Sequence, residues 1–431
     1  LSSQMRPGYP KLPVRRNSNG HCTTMRRKLV AGLTIALAGA IAASLIYAPY
    51  LPRLLREGYP EPIWPAPGYF VTVKGDAASR LFDERPASAT LTAELAAAFS
   101  EKEGRALLVA RDGKLVFEHY APGMSREVRL NSYSMVKSLV GTLVLKALAE
   151  QRIPSLQTPI GHFLKGLPQV SANAAPRRSI ADMPLRRFLD MRSGIRFQPD
   201  AAKGATGFGS KDFETTKVNV FGPMARLHTG GLAAVGSRLL SDEAGDAVTC
   251  DGGSFSYQNV NTALLGAVLE EVYRRPLQDL LSEKIWQPAG AQDALWRRFD
   301  EALPVTPYCC LYARPLDWLR VGQFLLDNGT AEQRFLPDEL WREFVALNVA
   351  PETLGHGYYH LQAYHDILDR AGARIAGPFT YFLGSRGQVT YLLPQHRLVA
   401  VRFGGQMQRL HSTLYGLADS LGGVEFRSTS Q

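Results

Sequence analysis

Between Ser134 and Gln151, residues Val136, Leu139, Val140, Leu143, Val144, Ala147 and Leu148 cover most of a helical circumference. That spread predicts a helix buried on several sides. Ser88–Glu103 carries a narrower stripe, Leu91, Leu95, Ala98 and Phe99, with Ser88 and Thr90 as candidate caps. Further helices are predicted over Asp182–Met191 (Pro184 in its first turn), Asn259–Val272, Leu277–Ile285, Pro315–Asn328 and Asp338–Val345. Elsewhere the period shortens. Ala106–Ala110 and Leu115–Tyr120, joined through Arg111-Asp112-Gly113-Lys114, predict a β-hairpin. Phe379–Leu383, Val389–Leu393 and Leu398–Phe403 predict three antiparallel strands, followed by a helix over Ser412–Leu421. Residues 198–235 are rich in Gly, Lys and Thr without a clean period, which predicts loops and short helices near a cleft. Strands at both ends with helices between them predict an α/β (α+β) fold. One antiparallel sheet is assembled from both termini and flanked by helices, with a mainly helical lobe inserted.

The first 84 residues have another texture. Residues 1–28 form a basic leader with seven Lys and Arg and no acid. Met25-Arg-Arg-Lys28 then opens an uncharged run of 19 residues, Leu29–Tyr47. A positive flank before an apolar run predicts an export signal or a membrane anchor, with Ala40-Ile41-Ala42 as a candidate cleavage site. The expectation is a protein on the periplasmic side of the bacterial inner membrane, anchored or released. Residues 48–84 hold Pro52, Pro60, Pro62, Pro65 and Pro67 and read as a linker, either a stiff spacer or chain wrapped on the domain surface. The body is expected over 85–425.

Composition narrows the function classes. With 45% hydrophobic and 20% charged residues in 431, the chain is too apolar for disorder. The net charge of +10 falls to +3 without the leader, so the body shows no nucleic-acid surface by charge. No C-x-x-C pair exists among Cys22, Cys250, Cys309 and Cys310, which disfavours structural zinc. A disulfide from Cys250 to Cys309 or Cys310 is conceivable, but adjacent cysteines rarely bond each other, and free thiols are the favoured expectation. His356, His360 and His365 with Asp366 lack H-E-x-x-H spacing and read as cleft or surface residues, not a metal site. No G-x-G-x-x-G follows a strand, so no nucleotide is implied, and no cofactor or metal is expected.

Three local motifs carry chemistry. Ser134-Met-Val-Lys137 puts a hydroxyl and an amine on one face at i, i+3. A serine is a poor nucleophile until a base takes its proton, and a desolvated lysine is such a base. A serine cap with a snorkelling lysine would read the same way. Tyr257-Gln258-Asn259, after Asp251-Gly252-Gly253-Ser254, delivers a tyrosine from a tight loop, where it can relay a proton. Gly384-Ser385-Arg386-Gly387-Gln388 sits at a strand mouth, where one N–H can complete an oxyanion hole.

In this order the motifs resemble the serine β-lactamase and penicillin-binding-protein superfamily, in particular its class C-like branch of esterases, D-amino-acid peptidases and 6-aminohexanoate-dimer hydrolases. Ser134 and Lys137 match the S-x-x-K, and Tyr257 and Asn259 match the Y-x-N. Asn261–Gly266, Leu185–Gly194 and Asp317–Gly322 resemble further family segments, and the likeness covers roughly residues 85–420. Where the family often has Lys- or His-Thr/Ser-Gly, this chain has Gly384-Ser385-Arg386-Gly387-Gln388, similar to the nylon-oligomer-hydrolase form. That departure argues against efficient β-lactam hydrolysis.

The resemblance implies a beta-lactamase/transpeptidase-like fold and a serine hydrolase cleaving a small ester, linear amide or D-amino-acid peptide. Ser134 would form the acyl-enzyme, with Lys137 and Tyr257 moving the proton. Asn259 would bond Lys137 or the substrate amide, and the N–H of Ser385 would join that of Ser134 at the oxyanion. Gly384, Arg386, Gly387 and Gln388 would support the substrate. The rival expectations are a β-lactamase or D,D-peptidase acting on cell-wall-like material and an inactive binding protein on the same fold.

Overall fold

The computed structural model describes residues 27–36, 48–76, 93–165, 180–195, 222–235, 255–354, 358–370, 373–406 and 427–428, with single positions 39, 46, 167 and 414 besides. The chain divides into two units, Leu1–Pro52 and Arg53–Gln431. In the first, residues 27–36 are helical and expose Leu29, Val30, Leu33 and Ile35. Among the described residues no helix is long and apolar enough to cross a membrane. The remainder of the Leu29–Tyr47 run lies largely outside the described residues.

The second unit is built on two antiparallel sheets. Its strands are β1 (Phe70–Val73), β2 (Gly104–Arg111), β3 (Lys114–Tyr120), β4 (Leu130–Asn131), β5 (Ala294–Arg297), β6 (Leu311–Ala313), β7 (Tyr358–His360), β8 (Ala363–Arg370), β9 (Ala373–Gly384), β10 (Gln388–Leu393), β11 (Leu398–Gly404) and β12 (Arg427–Ser428). The large sheet runs β3-β2-β11-β10-β9-β8-β7, with β12 paired to β9, and the small one runs β1-β5-β6-β4. β2 and β3 form the expected hairpin, turning at Asp112 and Gly113 with φ of 50° and 70°. Two successive positive φ values suit the twist of a tight hairpin, and glycine takes the second without a steric penalty. β2 pairs on its other edge with β11, so the sheet joins the two ends of the body as expected.

Strand period decides how that sheet is covered. Ala106, Leu108 and Ala110 of β2 and Val399, Val401 and Phe403 of β11 join the main core, whereas Leu107, Val109, Leu398 and Ala400 join a second cluster on the opposite face. Both faces are therefore dry, which is why these strands read as continuous apolar runs rather than alternating ones.

Five helices matter for the site: α1 (Leu51–Glu57), α2 (Ala93–Glu101), α3 (Val136–Ala149), α4 (Asn259–Tyr273) and α5 (Pro315–Leu326). α5 packs on β2, β10 and β11, and α3 packs on α4. α3 is buried nearly all round, as its apolar spread predicts. The helix expected from Asp182 is the shorter Leu185–Leu189, with Pro184 extended at its N-cap. Of residues 198–235, the described part contains the helix Pro223–Gly230. The helix expected over Ser412–Leu421 lies outside the described residues apart from Leu414.

The proline-rich stretch is chain laid on the body rather than a free spacer. β1 pairs with β5 from Phe70 to Val73. Trp64 N–H donates to the Arg129 carbonyl at 3.0 Å, and Asn131 N–H donates to the Pro62 carbonyl at 2.9 Å. Glu57 receives Arg297 Nη2 at 2.6 Å and Arg53 Nε at 2.5 Å, with the Glu57 and Arg297 side chains buried. Proline lacks the N–H that a central strand needs, but its carbonyl still accepts, and here that carbonyl is used.

Candidate active site

Ser134 stands in a short 3-10 turn, Tyr133–Met135, that runs straight into α3. The turn is tight because Tyr133 has φ +44°, a left-handed conformation costly for a bulky residue. Neighbouring chain holds it there. Tyr133 N–H donates to Asn131 Oδ1 at 2.8 Å, and its hydroxyl donates to the Pro60 carbonyl at 3.0 Å. Cys310 N–H donates to the Tyr133 carbonyl at 3.3 Å, and Ser132 N–H to that of Leu311 at 2.9 Å. β4, β6 and the proline-rich stretch thus fix the serine from three sides.

Lys137 is 1% exposed. Its Nζ donates to Ser134 Oγ at 2.7 Å and to the Tyr308 carbonyl at 3.0 Å. It also lies 4.8 Å from the ring centre of Tyr257 and 5.9 Å from that of Tyr308. No carboxylate among the described residues pairs with it. Burial alone pushes the amine well below the ordinary lysine range, toward the neutral form a base requires. Tyr257 hydrogen-bonds Ser134; burial raises its pKa and that bond opposes the rise. Tyr257 is presented by the segment before α4, where Ser256 N–H donates to the Met191 carbonyl at 2.8 Å. The glycines at 252 and 253 lie outside the described residues.

The third motif meets the first. β9 ends at Gly384, where an added Cβ would stand 2.2 Å from the Ser132 carbonyl oxygen. Only a residue without Cβ allows the strand end this close to the nucleophile turn. Ser385–Gly387 then turn over, with Arg386 at φ 64°. The Gly387 carbonyl receives Arg402 Nη1 at 2.7 Å.

Two of the expected support residues are placed differently. Gln388 is buried and clamps β11: its Nε2 donates to the Gly404 carbonyl at 2.8 Å, and Gly404 N–H donates back to its Oε1 at 2.9 Å. It anchors the turn from behind, at the register shift between Phe403 and Gly404. Asn259 does not bond Lys137; its amide donates to Met224 Sδ at 3.8 Å. Of the two partners expected for Asn259, Lys137 or the substrate amide, Lys137 instead bonds the Tyr308 carbonyl, because the chain entering β6 passes beneath it.

Tyr308 escaped the sequence reading because it reaches the site from a distant element, and Asn131 and Ser132 because, although they stand just before the nucleophile, they carry no motif of their own. Cys309 and Cys310 correct another expectation: the neighbours are joined in a disulfide. Cys310 at φ 72° lets the chain double back there, and the Cys309 carbonyl is held by Trp296 Nε1 at 3.1 Å and Thr306 Oγ1 at 2.9 Å. Cys250 lies outside the described residues.

His360 is engaged by Asp190 at 2.9 Å and by Glu343 at 3.4 Å. Burial opposes its charge, but the two carboxylates prevail and raise its pKa. His365 faces Thr380 Oγ1 at 3.0 Å, and burial pulls its pKa down to about 3. His356 lies outside the described residues.

The comparisons follow this geometry. The Beta-lactamase family model matches residues 92–408. A 6-aminohexanoate-dimer hydrolase of Paenarthrobacter ureafaciens is 25% identical over 249 residues, 58% of each chain, so the match spans under two thirds of that relative's length. Among solved structures, a Bacillus anthracis protein provisionally assigned as a 6-aminohexanoate-dimer hydrolase superposes with a TM-score of 0.61 at 19% identity, covering 82% of this chain and 90% of that one. A penicillin-binding protein from Bacillus halodurans gives 0.51 at 15% identity, over 76% of this chain and 98% of that one. At those identities the structures speak for the fold, and the fold carries Ser134, Lys137 and Tyr257 into one contact. With the model spanning most of its length, the chain belongs to the beta-lactamase family.

Proposed function

We propose that the protein is a serine hydrolase that cleaves a small ester or amide through an acyl-enzyme on Ser134. The observation that carries this is the 2.7 Å contact between Ser134 Oγ and a buried Lys137 that has no carboxylate partner among the described residues. A charged lysine could not take a proton; one stripped of water and of counter-ions can. Ser134 Oγ attacks the substrate carbonyl carbon while its proton passes to Lys137, coupled to Tyr257. Which of the two is formally the base is a property of the coupled pair. The N–H groups of Ser134 and Ser385 hold the oxyanion. Tyr257 gives a proton to the departing alcohol or amine as the C–O or C–N bond breaks. Water then attacks the ester with the same pair as base, and Ser134 recovers its proton. Asn259 is left to meet the substrate amide.

The names of the relatives support a linear amide as substrate, and the changed third motif supports it over a β-lactam. The basic leader and the uncharged run after it support export to the periplasmic side, where protease accessibility in spheroplasts tests the placement. Hydrolysis of p-nitrophenyl acetate and butyrate by residues 48–431, with Ser134→Ala in parallel, tests the chemistry. Activity lost in the variant is expected; equal rates in both would remove the assignment.

A further inference from the structure

The chain that brings the Tyr308 carbonyl to Lys137 continues at once into the Cys309–Cys310 disulfide. On the far side of that link, Cys310 N–H donates to the Tyr133 carbonyl at 3.3 Å, and the Leu311 carbonyl receives Ser132 N–H at 2.9 Å. The linked pair thus stands between the contact that orients the lysine and the contacts that hold the nucleophile turn. Cys310 is buried, and Cys309 only partly so.

A bond between neighbouring side chains closes a small ring that includes the peptide joining them, and the ring removes most of that peptide's rotational freedom. Hydrogen bonds fix the carbonyls: that of Cys309 receives Trp296 Nε1 and Thr306 Oγ1, and that of Cys310 receives Arg297 N–H at 3.1 Å. Cys310 has φ 72°, where a residue with a Cβ rests at a cost. The closed ring restrains it there. Once the ring opens, Cys310 is free to relax toward negative φ, and its N–H and the Tyr308 carbonyl move with it.

We infer that the Cys309–Cys310 disulfide is a redox modification site through which a dithiol slows the hydrolase, by loosening the supports of Lys137 and of the nucleophile turn. This rests on the reading of Lys137 and Ser134 as base and nucleophile. A thiolate of the reductant attacks Sγ of Cys309, the less buried residue; the S–S bond breaks, and Cys310 leaves as a thiolate that takes a proton. The second thiol of the reductant then attacks the mixed disulfide, frees Cys309 as a thiol and departs as a disulfide. Two electrons and two protons pass from the dithiol to the cysteine pair, and a disulfide oxidant restores the link by the reverse steps.

Ester kinetics and alkylation mapping on the full chain, before dithiothreitol and after its removal, test this with Ser134→Ala as background. In the untreated protein the peptide holding Cys309 and Cys310 should resist alkylation. After treatment each cysteine should take an alkyl group, and kcat should fall about tenfold with KM little changed. The rise of activity with pH should also move upward, as water reaches Lys137. Re-oxidation should reverse these changes, and they should persist when Cys22 and Cys250 are both replaced by serine. Cys309→Ser/Cys310→Ser should resemble the reduced protein and ignore dithiothreitol. Cys309→Ser/Cys310→Gly should recover kcat, since glycine takes φ 72° without a ring. Circular dichroism shows whether each form is folded. Free thiols in the untreated peptide, a bond that dithiothreitol opens only in urea, or a kcat or pH profile left unchanged by proven reduction overturns the inference. Should Ser134→Ala hydrolyse esters like the parent, the reaction assignment falls while the alkylation result stands.

Discussion

Lys137 donates to the main-chain carbonyl of Tyr308, 171 positions away, and to no carboxylate among the described residues. A carbonyl is a dipole, not a counter-ion, so it orients the amine without favouring its charge. Activity should therefore rise with pH through the folded pKa of Lys137, which burial sets well below that of free lysine, and then level off. The same shift bears on stability. Between the folded pKa and the ordinary lysine value of 10.5, the unfolded chain binds the proton that the folded chain has lost. The penalty from this residue thus grows as pH falls through that window and vanishes above it. Lys137→Met should lower turnover about 10³-fold, yet raise stability near neutral pH by on the order of 1 kcal/mol. Thermal melts across pH check this: the gain should narrow as pH climbs toward the lysine range, and a loss at every pH would refute it.

Tyr257→Phe keeps the ring against Lys137 and removes the hydroxyl that meets Ser134. Turnover should drop about 10²- to 10³-fold with the melting temperature nearly unchanged. Ester kinetics at saturating substrate read this directly; a change confined to KM would assign the hydroxyl to binding instead.

Gly384→Ala sets a methyl 2.2 Å from the Ser132 carbonyl, with backbone on both sides of the clash. The strand end must retreat and carry the Ser385 N–H with it. A misplaced oxyanion donor costs about 10²-fold in turnover. Parent-like rates in a folded variant would show that this N–H does not contribute.

Glu57→Gln leaves Arg297, 3% exposed, without its carboxylate. Breaking a buried pair from one side costs about 3 kcal/mol, which urea unfolding resolves. Burial raises the Glu57 pKa, but Arg53 and Arg297 together lower it further than burial lifts it. Its contribution is accordingly present above the ordinary carboxyl value and lost as pH falls through the depressed one. A chain begun at residue 85 lacks β1 and Glu57 alike and should melt far below residues 48–431; matching melts would return the proline-rich stretch to a mere spacer.

Local pattern determined a good part of this protein. The Asp112-Gly113 hairpin, the three C-terminal strands and the all-round burial of α3 follow from periods of two and 3.6 residues, which any stretch of chain displays by itself. Ser134 with Lys137 was legible for the same reason, since three residues on a helix are neighbours wherever the helix lies. Tertiary structure decided what those residues meet. The depth that strips Lys137 of its charge, the Tyr308 carbonyl beneath it and the Pro60 and Pro62 carbonyls that brace the nucleophile turn come from elements tens to hundreds of positions away. Gln388 has the same polar side chain whether it faces a substrate or clamps Gly404, and Asn259 whether it meets Lys137 or Met224. A residue type states what bonds it can make; which partner is within 3 Å is set by how the sheets and helices close around it.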